Sequence, residues 1–98
     1  MAKATKQIES NRLVNYMEEL TDNHLNHLLA KDYKGQRFTG ENREDIMALA
    51  LNRLWPMYTT SDSGRSFLKK IIVEDKIEKD IVRELRIAID KVRQNPRG

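Results

Sequence analysis

Cysteine is absent from this 98-residue chain, which excludes disulfides, a thiolate nucleophile and a thiolate zinc site. Glycine occurs four times and proline twice, and no glycine-rich phosphate loop or serine elbow can be traced. No pair of acids shows an identifiable catalytic geometry either, so no catalytic residue is assigned and enzymatic chemistry is not expected. Long apolar runs are missing, including from the opening MAKATKQIESNR; neither a secretory signal nor a membrane span is expected, and the location expected is cytoplasmic. Charge of one sign is also lacking. A formal net charge of +3 falls short of the clustered charge that makes nucleic acid the leading partner.

Apolar residues make up 39% and charged residues 34% of the chain, against a usual apolar share of ~45–50%. A chain this short forms one domain with a thin core, so its apolar side chains must be concentrated on narrow helix stripes. A dimer would thicken that core. Leu13, Tyr16, Met17, Leu20, His24 and Leu28 follow three- and four-residue steps and predict a helix from Ser10 to Ala30. Residues 1–9 are expected to be a loose N-terminus, 10–95 the domain and 96–98 a tail. Lys31–Gly40 keeps neither period and reads as a connecting loop. A second helix is expected with Asn42 as its N-cap and Ile46, Leu49, Ala50 and Leu54 inward, ended by Pro56. Met57–Ser63 allows one short extended segment. Phe67, Leu68, Ile71 and Ile72 begin another helix, whose phase breaks before Ile77. Asp75 with Glu78 resembles a capping box opening a last helix, with Ile77, Ile81, Leu85, Ala88 and Val92 inward and Asn95–Pro96 as its stop. The fold class expected is all-α, a compact dimeric bundle of four to five helices.

Three constellations carry chemistry. His24 and His27 have a spacing that can place two imidazoles on one face, but no third or fourth ligand is evident and no metal site is assigned. Arg83, Arg86, Lys91, Arg93 and Arg97 read as a solvated face with cations near a helix C-terminus; phosphate contact with nucleic acid is the weaker reading. From Lys31 to Arg43, Lys31, Lys34, Arg37 and Arg43 offer phosphate donors, Asp32 an acceptor, and Tyr33 and Phe38 faces for stacking. A guanine nucleotide uses all three, and an ordinary solvent-exposed loop has the same composition. Arg53 can pair with an acid or helix-end carbonyls, or contact an anion beside the backbone and hydroxyls of Thr59, Thr60, Ser61, Ser63 and Gly64.

NYMEEL at Asn15–Leu20, REDIMALALNRLWPMY at Arg43–Tyr58 and TSDSG at Thr60–Gly64 together resemble the late competence protein ComFB family over most of the chain. Members usually read Leu–Pro–Pro where this chain has Leu54–Trp55–Pro56, and some carry zinc-binding cysteines that are absent here. The resemblance implies a mostly helical, dimeric, cytoplasmic bacterial protein that binds cyclic di-GMP as its ligand and passes the signal to a protein partner. In that reading Lys31, Asp32, Tyr33, Gln36, Arg37 and Arg43 form one ligand wall, and Arg53 with Thr59, Thr60 and Ser61 another. The alternatives are a competence-related interaction module without a small ligand and a weak DNA-binding regulator.

Overall fold

The most regular apolar repeat, Ile81, Leu85, Ala88, Ile89 and Val92, folds as the buried stripe of the C-terminal helix, against which the rest of the chain assembles. A computed structural model describes residues 13–60, 62–74 and 76–95. Its elements run β1 (Val14–Asn15), α1 (Tyr16–Lys31), α2 (Gly40–Leu51), β2 (Tyr58–Thr59), α3 (Asp62–Glu74) and α4 (Ile77–Gln94). The architecture is a four-helix, mostly α globule with one short two-stranded ribbon. The expected loose N-terminus, the helix start at Ser10 and the tail at 96–98 lie outside the described residues, as do Ser61 and Asp75.

Helix α4 packs against α1, α2 and α3. Met17, Leu25 and Leu28 of α1 and Ile46 and Ala50 of α2 meet its stripe to form one core. The expected α1 stripe is corrected at two places. Leu25 is fully buried where His24 was expected, and Leu13 is 65% exposed because the chain there is extended rather than helical. The buried positions Met17, Thr21, Leu25 and Leu28 keep a single helical phase that favours Leu25 over the more polar edge residue. On α2, Ile46 and Ala50 are buried but Leu49 is 39% exposed, because α4 covers only one side of this short helix.

Two caps differ from expectation. Thr39, not Asn42, is the N-cap of α2: its hydroxyl accepts from the Asn42 backbone N–H at 3.0 Å, and the Asn42 side chain accepts from the Thr39 N–H at 3.2 Å. Asn42 is thus the third member of a reciprocal capping box. At α4, Lys76 is the cap residue, in the left-handed conformation at φ 60° and without a side-chain cap bond; Asp75 of the expected capping box lies outside the described residues. This left-handed residue turns the chain between α3 and α4 and accounts for the break in phase before Ile77.

The ribbon pairs Val14 with Thr59 and Asn15 with Tyr58 in antiparallel register. Asn15 joins it to α1. Its Oδ1 accepts from the Met17 N–H at 3.2 Å, capping the helix, and from the Met57 N–H at 2.8 Å, tying down the segment after Pro56. Asn15→Ala strips both donors of their acceptor and is expected to cost about 1–2 kcal/mol. Thermal unfolding checks this: Asn15→Asp, which keeps an acceptor oxygen, should retain most of the stability, and an unchanged melting temperature for Asn15→Ala would contradict the latch.

Candidate functional site

The loop from Asp32 to Thr39 leaves the C-terminal end of α1 and folds onto α4. The Tyr33 and Phe38 rings meet edge to face, with centroids 6.2 Å apart and planes at 88°. The Arg93 guanidinium lies over the Tyr33 ring, 6.0 Å from its centroid, a cation–π arrangement. One turn pair earlier on the same face of α4, Arg86 donates to Asp32 Oδ2. The hydrogen bond to Asp32 pushes the Arg86 guanidinium further toward its charged form against a smaller opposing effect of desolvation, and the Tyr33 hydroxyl adds a lesser push in the same direction as Asp32. The aromatic loop is therefore pinned to α4 by two arginines.

Beside this pin lies a cleft of about 410 Å³ lined by Gln36, Arg37, Phe38, Asn42, Val92 and Arg93, within the ~300–1,000 Å³ range of small-molecule sites. Arg37 is exposed and has no acidic partner among the described residues. The capped N-terminus of α2 borders the cleft at Asn42, where the helix dipole favours an anion. Two guanidinium groups, a helix N-terminus and the Phe38 ring meet at this cleft, with Tyr33 behind Arg93 and Phe38, a set whose chemistry suits a phosphorylated, aromatic ligand.

The other expected residues are distributed differently. Lys31 and Gln36 stay with this end of the molecule, at the end of α1 and in the loop. Arg43, although next to Asn42, turns into the space between α1 and α2. It donates to Asp22 Oδ1 at 2.7 Å and to Asn26 Oδ1, bracing the two helices. Arg53 follows the end of α2, where its Nε lies 3.7 Å from Glu84 Oε1; Arg83 Nε lies 3.5 Å from the other oxygen of that nearly buried carboxylate. Thr59 belongs to the ribbon at the N-terminal end of α1 and Thr60 directly follows it, and the helix's 16 residues span about 24 Å at 1.5 Å each. The Lys31–Arg37 loop and the Thr59–Thr60 segment consequently sit at opposite ends of α1.

Of the cations expected to form a solvated face, Arg93 lines the cleft and Arg86 holds the adjoining loop through Asp32. Their seven-residue separation, two turns along one helix face, was the available signal; the loop that meets them lies more than fifty residues earlier and left no mark in local pattern. His24 Nε2 lies 3.4 Å from Glu78 Oε2, joining α1 to α4. Among the described residues no three His, Cys, Asp or Glu side chains gather into a metal site, and no helix is long and apolar enough to cross a membrane.

Comparison with known proteins finds both a family and a fold. Residues 14–96 match the family model described as late competence development protein ComFB. The structure resembles that of the late competence protein ComFB from Bacillus subtilis with a TM-score of 0.74, covering 88% of this chain and 93% of that one at 21% identity. No curated protein matches this chain.

Proposed function

The chain belongs to the ComFB family of late competence proteins, and from this premise we propose that it is a non-enzymatic receptor that binds cyclic di-GMP and passes the signal to a protein partner. The observation that carries the reading is the Arg37–Arg93 cleft. Phosphates of the ligand pair with Arg37 and Arg93 and face the N-terminus of α2. A guanine stacks on the Arg93 guanidinium, itself seated on Tyr33, since a planar guanidinium stacks on rings from either face. Asp32, held by Arg86 through Oδ2, keeps Oδ1 for a guanine N–H. Arg43, Arg53, Thr59 and Thr60 do not line this cleft, and the proposal does not rest on them.

Association of two copies forms part of the same reading. Phe67, on the outer side of α3, is 64% exposed, and Trp55, in the turn before Pro56, is 87% exposed; a second copy would shield such side chains and thicken a thin core. These side chains equally favour the alternative, an interaction module without a small ligand.

Calorimetric titration with cyclic di-GMP separates the two. A saturable heat with a rise in melting temperature that grows with ligand concentration is expected. Neither effect at high micromolar nucleotide, with partner capture unchanged by its addition, would leave the interaction module standing.

A further inference from the structure

Between α1 and α2 lies a groove of about 780 Å³. Its lining follows from helical spacing. Glu18 and Asp22 stand one turn apart on α1, while Glu44, Met47, Ala48 and Leu51 lie along one face of α2. Val14 closes the end beside the ribbon and Leu13 stands exposed at its mouth.

The charge of this groove runs against that of the chain. In a protein of net charge +3, it gathers Glu18, Glu19, Asp22 and Glu44 around the single guanidinium of Arg43. That guanidinium is engaged by Asp22 at 2.7 Å, and Glu19 is met by Arg65 at 3.4 Å. Glu18 and Glu44 are left without a cationic partner among the described residues, one on each helix, with the apolar strip of Met47, Ala48 and Leu51 beside them. The strip offers a flexible thioether and a small side chain, a surface that adapts to an inserted apolar residue.

We propose that this groove docks a cationic, amphipathic segment of a protein partner, with an apolar side chain on Met47, Ala48 and Leu51 and lysine or arginine against Glu18 and Glu44. Charge complementarity selects this occupant. A nucleic acid or an anionic nucleotide is repelled by the same carboxylates, and an uncharged apolar segment leaves both of them unpaired. The groove supplies a partner site for the relay proposed above, on that reading, while sharing no residue with the Arg37–Arg93 cleft. Failure at one site therefore leaves the other intact.

The test uses the full chain and a fluorescent Leu/Lys amphipathic peptide as probe, followed by anisotropy, with a Leu/Glu peptide of the same pattern as control. The Leu/Lys peptide should bind and the Leu/Glu peptide should not. Glu18→Lys with Glu44→Lys should weaken binding about tenfold or more, as expected for reversing two facing charges, and Glu18→Gln with Glu44→Gln should do so less. Ala48→Gln, a neutral change to a good helix former at an exposed position, should weaken binding several-fold by filling the strip. Cyclic di-GMP titration should be unchanged in all three variants. Equal binding by Ala48→Gln and wild type, or by both peptides, would overturn the proposal. A benzophenone amino acid in place of Ala48 identifies the occupant: cross-linking to the Leu/Lys peptide supports the proposal, whereas capture of residues 1–12 of the same chain, or of a second copy, in preference to the peptide overturns it.

Discussion

Leu85→Ala should come close to unfolding this protein. Leu85 is fully buried in the middle of the α4 stripe, on a helix that packs against the other three. Truncation removes three methyl-group carbons' worth of packing and leaves a cavity that the surrounding helices fill only in part, a change that costs about 2–5 kcal/mol. A domain of this size holds only about 5–15 kcal/mol in total, so the melting temperature should fall by roughly 10–40 °C. Ile87→Ala is the control. Ile87 lies two residues further on the same helix but is 43% exposed, and its truncation should shift stability by no more than about 0.5 kcal/mol. Equal losses at the two positions would mean that another surface covers the outer face of α4. Repeating both melts at different protein concentrations distinguishes that case, since a dimer's melting temperature rises with concentration.

The contrast between Leu85 and Ile87 also marks how far local pattern carries. Ile81, Leu85, Ala88 and Val92 could be placed inward from their spacing alone, because a helical stripe is a property of one segment. The helix boundaries were less legible. Thr39 wins the cap from Asn42 because the reciprocal box satisfies two backbone donors at once, whereas Asn42 as cap would satisfy one. The start of α1 moved to Tyr16 because Asn15 serves two partners, and the second, the Met57 N–H, comes from a segment 42 positions later. Non-local bonds of this kind leave no periodic trace.

The same distinction applies to the candidate site. Asp32, Tyr33 and Arg37 stood out as a mixture of acceptor, ring and cation within one loop, and the structure keeps them together. What local reading could not supply was α4, whose Arg86 and Arg93 looked like solvated charge on a helix C-terminal half. Nor could it show that Arg43 and Arg53, ten positions apart on and just after one helix, engage different neighbours: Asp22 and Asn26 of α1 for the first, and Glu84 of α4 for the second. The similar composition of the two ends of α2 therefore conceals two bracing interactions, neither of which leaves its guanidinium fully at the disposal of a ligand.

Replacing both Arg37 and Arg93 by alanine should abolish cyclic di-GMP binding while leaving the fold nearly untouched. A hydrogen bond to a charged group contributes about 1.5–3 kcal/mol, so each truncation should weaken binding roughly 10- to 150-fold and the pair should exceed either alone. The cost to stability should be small. Arg37 is exposed without an acidic partner among the described residues, and Arg93 makes a distant ion pair with Asp90 at 3.9 Å and the contact with Tyr33, which at a half-exposed position is worth about 0.5–1 kcal/mol. Arg93→Lys sharpens the reading. It preserves the positive charge but not the planar group, so it should recover phosphate attraction without the stacking surface and fall between wild type and Arg93→Ala. Arg43→Ala and Arg53→Ala serve as the opposing pair: each removes a part-exposed brace worth at most about 1 kcal/mol, and each should leave affinity within a factor of about two, well under the 1.4 kcal/mol that corresponds to tenfold. Calorimetry on these six variants decides between the two sets of arginines. Loss of binding in Arg43→Ala or Arg53→Ala, with Arg37→Ala and Arg93→Ala still binding, would move the ligand away from the aromatic loop and toward the opposite end of α1.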